Sequence, residues 1–185
     1  DCIGTAQTFT ITVNPNGQVN DPADQVVCDG DLTNAVIFTT NNTVGTTTYN
    51  WTNDLTSIGL AASGTGDIAA FTAINTGTAP VVATITVTPT FSNGSVDCIG
   101  TAQTFTITVN PNGQVNDPAD QVVCNGDLTN AVIFSTNNTV GTTTYNWTND
   151  LTSIGLPASG TGDIAAFTAI NTGTAPVVAT ITVTP

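Results

Sequence analysis

Two stretches of the chain alternate strictly between apolar and polar residues. In Ala83-Thr-Ile-Thr-Val-Thr88 and Gln103-Thr-Phe-Thr-Ile-Thr-Val109, Ile85, Val87, Phe105 and Ile107 share one face. Thr84, Thr86, Thr88, Thr104, Thr106 and Thr108 share the other. A period of two is the mark of a half-buried strand, and Thr is a good strand former on a solvent face. Between the two stretches, Asn93-Gly94 supplies a turn signal. Shorter runs at residues 25–28, 35–40, 46–51, 57–61 and 68–73 are further strand candidates. No run shows the 3.6-residue period of a helix.

About seven short strands with a turn signal every 8 to 12 residues or so predict an all-β, immunoglobulin-like sandwich. The predicted core is Trp51 with Ile37, Phe38, Phe71, Ile85, Val87, Phe105 and Ile107. The sandwich is expected twice. Residues 1–89 and 97–185 are the same sequence at an offset of 96, differing only at Asp29/Asn125, Thr39/Ser135 and Ala61/Pro157. Near-identity at a fixed period marks a tandem array of units of about 96 residues, grown by duplication. A stalk, filament or multivalent binder uses such copies in line; an enzyme rarely does.

Asn14-Pro-Asn-Gly17 and Asn110-Pro-Asn-Gly113 directly follow alternating strands and read as linkers. In that frame residues 1–13 are the last strand of an upstream repeat, 14–110 a complete repeat, and 111–185 a repeat lacking its last strand. A missing edge strand leaves an unpaired ladder. Either further chain or residues 1–13 of a neighbouring copy would complete it.

Composition removes most chemistry. The chain has no Lys, Arg, His, Glu or Met, and its thirteen acidic residues, all Asp, give a net charge of -13. No imidazole, amine or cationic clamp is present for general-base, Schiff-base or phosphate chemistry, so no enzyme is expected. An aspartate dyad is the one remaining catalytic route. Nucleic acid and anionic lipid are excluded as partners, since nothing attracts phosphate. No apolar run reaches the roughly 18 residues of a membrane span. The 39% hydrophobic content argues for a folded chain.

The four cysteines fit the frame in one way. Cys28 opens the complete repeat and Cys98 precedes its last strand, so an intradomain disulfide is expected between them. Closing that loop would contribute about 4 kcal/mol. Cys2 and Cys124 would then pair with adjoining repeats or chains. No CxxC and no His are present for zinc. Asp21, Asp24, Asp29 and Asp31 are weak calcium candidates near a linker, but the EF-hand spacing is absent and Asp29 becomes Asn125 in the second copy. Solvated turn carboxylates explain them as well. No cofactor is expected. The Thr rows suggest ice or glycan contact, although two short rows on a twisted sheet are a poor ladder. Asn41-Asn-Thr43, Asn50-Trp-Thr52 and Asn93-Gly-Ser95 match the N-glycosylation pattern, a coincidence expected in a chain this rich in Asn and Thr.

Longer runs carry a resemblance. Asp24-Gln-Val-Val-Cys-Asp-Gly30, Thr48-Tyr-Asn-Trp-Thr-Asn53 and Ile58-Gly-Leu-Ala-Ala-Ser-Gly-Thr-Gly66 are three of them. Phe71-Thr-Ala-Ile-Asn-Thr-Gly-Thr-Ala-Pro80, leading into Ala83-Thr-Ile-Thr-Val-Thr-Pro89, is a fourth. Together they resemble the PKD-like, immunoglobulin-like repeats of very large surface proteins of Bacteroidota, including SprB-type gliding adhesins. The resemblance implies type IX secretion, an extracellular place on the bacterial surface, and service as a filament or adhesin stalk. It implies adjoining copies of the repeat as partners, with surface glycans reached through a distal tip. It carries no catalytic residue. The rival expectation is a repeated glycan- or surface-binding module acting by avidity.

Overall fold

The computed structural model describes residues 2–94 and 96–185. Asp1, and Ser95 of the third glycosylation pattern, lie outside the described residues. Contacts divide the chain into two compact units. One holds residues 1–75 with Val81–Asn110; the other holds Thr76–Pro80 with Pro111–Pro185. Both are all-β and sandwich-like, with one short 3-10 turn each and no α-helix among the described residues.

The first unit is built on β1 (Gln25–Cys28), β2 (Thr46–Asn53), β3 (Ser63–Thr65), β4 (Val81–Ser92), β5 (Asp97–Ile99) and β6 (Gln103–Asn110). They form one sheet in the order β1-β6-β4-β2-β3, with β5 also on β4. Only the β1–β6 pairing is parallel. Facing the sheet, the segments around residues 32–36 and 68–72 touch through the antiparallel bridges Leu32–Thr72 and Val36–Ile68.

Alternation decides which side chains enter the core. Ala83, Ile85, Val87 and Phe91 of β4 are buried, as are Phe105, Ile107 and Val109 of β6, while the intervening Thr residues are half-exposed. Except for Phe91, these buried side chains form one cluster with Trp51, Phe38, Val36, Ile58, Leu60, Ile68 and Ala73. The phenyl ring of Phe105 meets that of Phe38 edge-on at 6.5 Å between centroids.

β4 runs on through Pro89, further than the alternation predicts. Pro89 stays opposite Tyr49 of β2, and is tolerated because it falls in a gap on the other side: β6 pairs as far as Val87 and β5 resumes at Thr90. Residues 57–61, expected as a strand, instead make the 3-10 turn Thr56–Ile58, closed by Gly59 at φ 97°. Residues 35–40 and 68–73 contribute single bridges, not strands. Ile37, expected inside, is 64% exposed, because the buried neighbours Val36 and Phe38 turn it outward.

The second unit has β7 (Asn146–Asn149), β8 (Ser159–Thr161) and β9 (Ile181–Thr184), in the order β8-β7-β9. Each of the three differences between the repeats keeps a hydrogen-bond acceptor in place. Asp29 and Asn125 both accept from the backbone N–H of the residue 46 positions later, at 2.7 and 2.8 Å. Thr39 and Ser135 hydroxyls both accept from an Asn side chain, at 2.8 and 2.9 Å. The carbonyls of Ala61 and Pro157 both accept from a buried Asn, at 3.3 Å.

That buried residue is Asn53, whose amide donates to the carbonyls of Leu55, Leu60 and Ala61 while its oxygen accepts from Leu55 N–H. It fastens the 3-10 turn to the end of β2. Asn53→Ala leaves several of these groups without partners, and we expect a loss of about 2–4 kcal/mol in the first unit. Chemical denaturation should show it; a change below about 0.5 kcal/mol would contradict this role.

Candidate functional site

The position occupied by β6 distinguishes the two units. In the first unit this strand is not an edge, as the sequence suggests, but an interior strand. Its one side pairs with β4 from Val81↔Val109 to Val87↔Gln103, and its other pairs with β1 from Gln25↔Ile107 to Cys28↔Asn110. Polar groups around it are spent on its backbone. The Asp24 carboxylate accepts from Thr106 N–H at 2.6 Å, and the buried Asn75 amide donates to the Val109 carbonyl at 2.7 Å. Asp29 N–H donates to the Asn110 carbonyl at 2.8 Å.

Among the described residues of the second unit, nothing stands in that place, and β9 is an edge of its sheet. The same residues then behave differently. Ala83, Ile85 and Val87 are each fully buried, whereas their counterparts Ala179 and Val183 are half-buried and Ile181 is 37% exposed. Val123 and Val177, the counterparts of the half-buried Val27 and Val81, are 41% and 46% exposed. Residues 121–124, the counterpart of β1, form no strand, and the strand equivalent to β4 shortens to four residues. Asn171, the counterpart of Asn75, turns its amide to the Ala175 carbonyl at 3.0 Å. Within the given sequence, no strand lies between β9 and residues 121–124.

Residues 2–13 are exposed throughout and form no strand. Residues 7–14 repeat β6 letter for letter. Phe9, Ile11 and Val13, which stand where Phe105, Ile107 and Val109 are buried, are 86%, 79% and 87% exposed. Sequence reasoning read residues 1–13 as a strand but missed the role of Asn75 at the Val109 carbonyl. Its signal was weak, since an Asn in a Thr-Ala-Ile-Asn-Thr-Gly run reads as an ordinary turn residue.

The expected Cys28–Cys98 disulfide is not seen; the pairing expected of Cys2 and Cys124 concerns other repeats or chains. All four thiols are free. Cys28 lies opposite Asn110 at one end of the sheet, and Cys98 lies opposite Phe91 at the other. Val81, which pairs with Val109, and Phe91 are ten steps apart along β4, or roughly 33 Å. A disulfide needs Cα atoms within about 7 Å. Flanking the same strands in sequence placed the two thiols at opposite poles in space. Cys2 and Cys124 are exposed free thiols.

The calcium candidates are likewise dispersed onto backbone groups. Asp24 is taken by Thr106, Asp29 by Asn75 N–H, and the Asp31 carboxylate accepts from Cys28 N–H at 3.4 Å. Together with Asp21 they form no cluster of three metal-ligating side chains among the described residues. An open polar depression of about 270 Å³ lies beside the linker, lined by Asn16, Gln18, Asn20, Asn41, Thr101 and Gln103. It holds amides and a hydroxyl but no aromatic face on which a sugar ring would stack.

Burial pushes the Tyr49 phenol above its ordinary value of 10.0; a hydrogen bond with Thr40 opposes the shift and the Asp67 carboxylate adds to it. A raised folded value favours folding below the unfolded value and is lost as the pH climbs through the folded one. The first unit should therefore lose stability above about pH 10, and Tyr49→Phe should flatten that decline. An unchanged alkaline limb in the variant would refute the assignment.

No protein-family model matches the chain, and no curated protein is significantly similar to it.

Proposed function

We propose that the chain is a structural segment of an extracellular filament or adhesin stalk on a bacterial surface, built from immunoglobulin-like, PKD-like repeats. The observation that carries this reading is near-identity of two sandwich-like units whose few differences leave every hydrogen-bond acceptor in place. Identical units give identical junctions, which a regular fibre requires. A sequence without Lys, Arg, His or Glu, whose only acid–base carboxylates are Asp, supports a role without catalysis. Export by type IX secretion and kinship with gliding adhesins belong to the same proposal and rest on the sequence resemblance.

Reducing, denaturing electrophoresis of native material tests it. A species of several times the 18.7 kDa of this chain is expected if repeats continue in one covalent stalk. The avidity reading draws on the polar depression beside the linker. Specific capture of the purified repeats on a glycan array would favour it over the stalk.

A further inference from the structure

We propose that Asn93 is a site of spontaneous deamidation, a modification that converts it to aspartate or isoaspartate in the folded protein without any enzyme. The chain holds four Asn–Gly pairs, at residues 16–17, 93–94, 112–113 and 125–126. Glycine is the follower that least hinders the reaction, because it brings no Cβ beside the attacking nitrogen. The letters therefore mark all four pairs alike, and the structure separates them.

The chemistry sets a geometric demand. The glycine backbone nitrogen gives up its proton to solvent and bonds the carbonyl carbon of the Asn side chain, Cγ. The bond from Cγ to the side-chain nitrogen breaks and ammonia leaves, which closes a succinimide ring. Water then opens the ring at one of its two carbonyls, giving aspartate or isoaspartate. Water is the only co-reactant, and nothing is oxidised or reduced. For the ring to close, the peptide unit between Asn and Gly has to turn until its nitrogen faces Cγ. A hydrogen bond on that N–H, or on the Asn carbonyl, resists the turn.

The pairs other than 93–94 are held in this way. Gly17 N–H donates to the Cys98 carbonyl at 3.0 Å, and the Asn16 carbonyl accepts from the Asn42 amide at 3.2 Å. Gly126 N–H donates to the Ala169 carbonyl at 2.8 Å, while the Asn125 side-chain oxygen accepts from Asn171 N–H at 2.8 Å. The Asn112 carbonyl accepts from the Asn138 amide at 3.1 Å, the counterpart of the Asn42 bond. Asn93 and Gly94 lie exposed in the connector between β4 and β5. There Gly94 N–H meets the Ser92 hydroxyl at 3.4 Å, beyond the usual range of an N–H···O bond. The Asn93 amide donates to the Asn14 side-chain oxygen at 3.1 Å, which restrains the leaving nitrogen but not the attacking one. Open space surrounds Gly94, so the peptide has room to turn. Conversion adds one negative charge to the -13 of the chain and puts a carboxylate where an amide donor now meets Asn14.

The test is incubation of the intact folded protein in mildly alkaline buffer, with ion-exchange separation of charge variants and peptide mapping of each. The expected result is an acidic variant that accumulates first and carries aspartate or isoaspartate at position 93. Asn16 and Asn125 should convert at least about tenfold more slowly, the effect of a pair of hydrogen bonds on the barrier. Asn93→Gln, whose longer side chain has to close a larger ring, should abolish the early variant, and Asn93→Asp should elute with it. In denaturant, where the hydrogen bonds holding the other pairs are gone, all four should convert at comparable rates. Folded protein in which Asn16, Asn112 or Asn125 converts as fast as Asn93 would overturn the proposal. So would an Asn93 that stays an amide while the denatured chain deamidates.

Discussion

Heating or denaturing the intact chain should give two separate unfolding transitions, with the second unit failing first. The reason lies in β6. Phe105, Ile107 and Val109 are buried in the first unit and have no counterparts in the second, where Ile181, Val123 and Val177 are exposed. Three lost apolar side chains, at about 1.5–3 kcal/mol each, predict a stability gap of at least about 5 kcal/mol. That is a large part of what a domain of this size possesses. Trp51 and Trp147 report the two units independently if each is replaced by Phe in turn. The Trp147 signal should be lost at lower denaturant than the Trp51 signal. Coincident transitions would refute the idea that a missing strand governs the second unit.

A side chain added at a single glycine should also be damaging inside the first unit. Gly64 of β3 pairs with Trp51 of β2, and the indole lies flat over the glycine so closely that any Cβ there would overlap the ring. The ring cannot simply swing away. It is buried among the core side chains, which leave it little room to move. We expect Gly64→Val to cost about 3 kcal/mol or more by forcing strand and ring apart. Gly160 stands in the same relation to Trp147. Gly4→Ala is the matching control, since open space surrounds that position. A Gly64→Val protein with an unchanged denaturation midpoint would show that the indole has an alternative place.

The free thiols change what oxidation can do. With Cys28 and Cys98 at opposite ends of one sheet, the stabilisation of about 4 kcal/mol expected from a staple within the repeat does not arise. The first unit stands instead on a long central strand, a buried cluster and side chains such as Asn53 that hold its turns.

Much of this was readable in the letters. Alternation in residues 83–88 and 103–109 located the two central strands and the face each buries, because a strand's period of two leaves little choice of side. The offset of 96 revealed that residues 7–14 duplicate a core strand. Neither result needed coordinates. What the letters left open was the order of strands and hence every distance across the sheet. Only the fold put β1 parallel beside β6, which turned the last strand from an edge into an interior member. Only the fold carried Cys28 and Cys98 to opposite poles. Residues 57–61 and Ile37 show the same limit on a smaller scale. Their local patterns suit a strand and a core, but Gly59 in a left-handed conformation makes a turn of the first. Burial of Val36 and Phe38 sends the side chain of Ile37 to solvent. Local pattern sets which face of a strand is apolar; pairing between distant segments sets what that face meets.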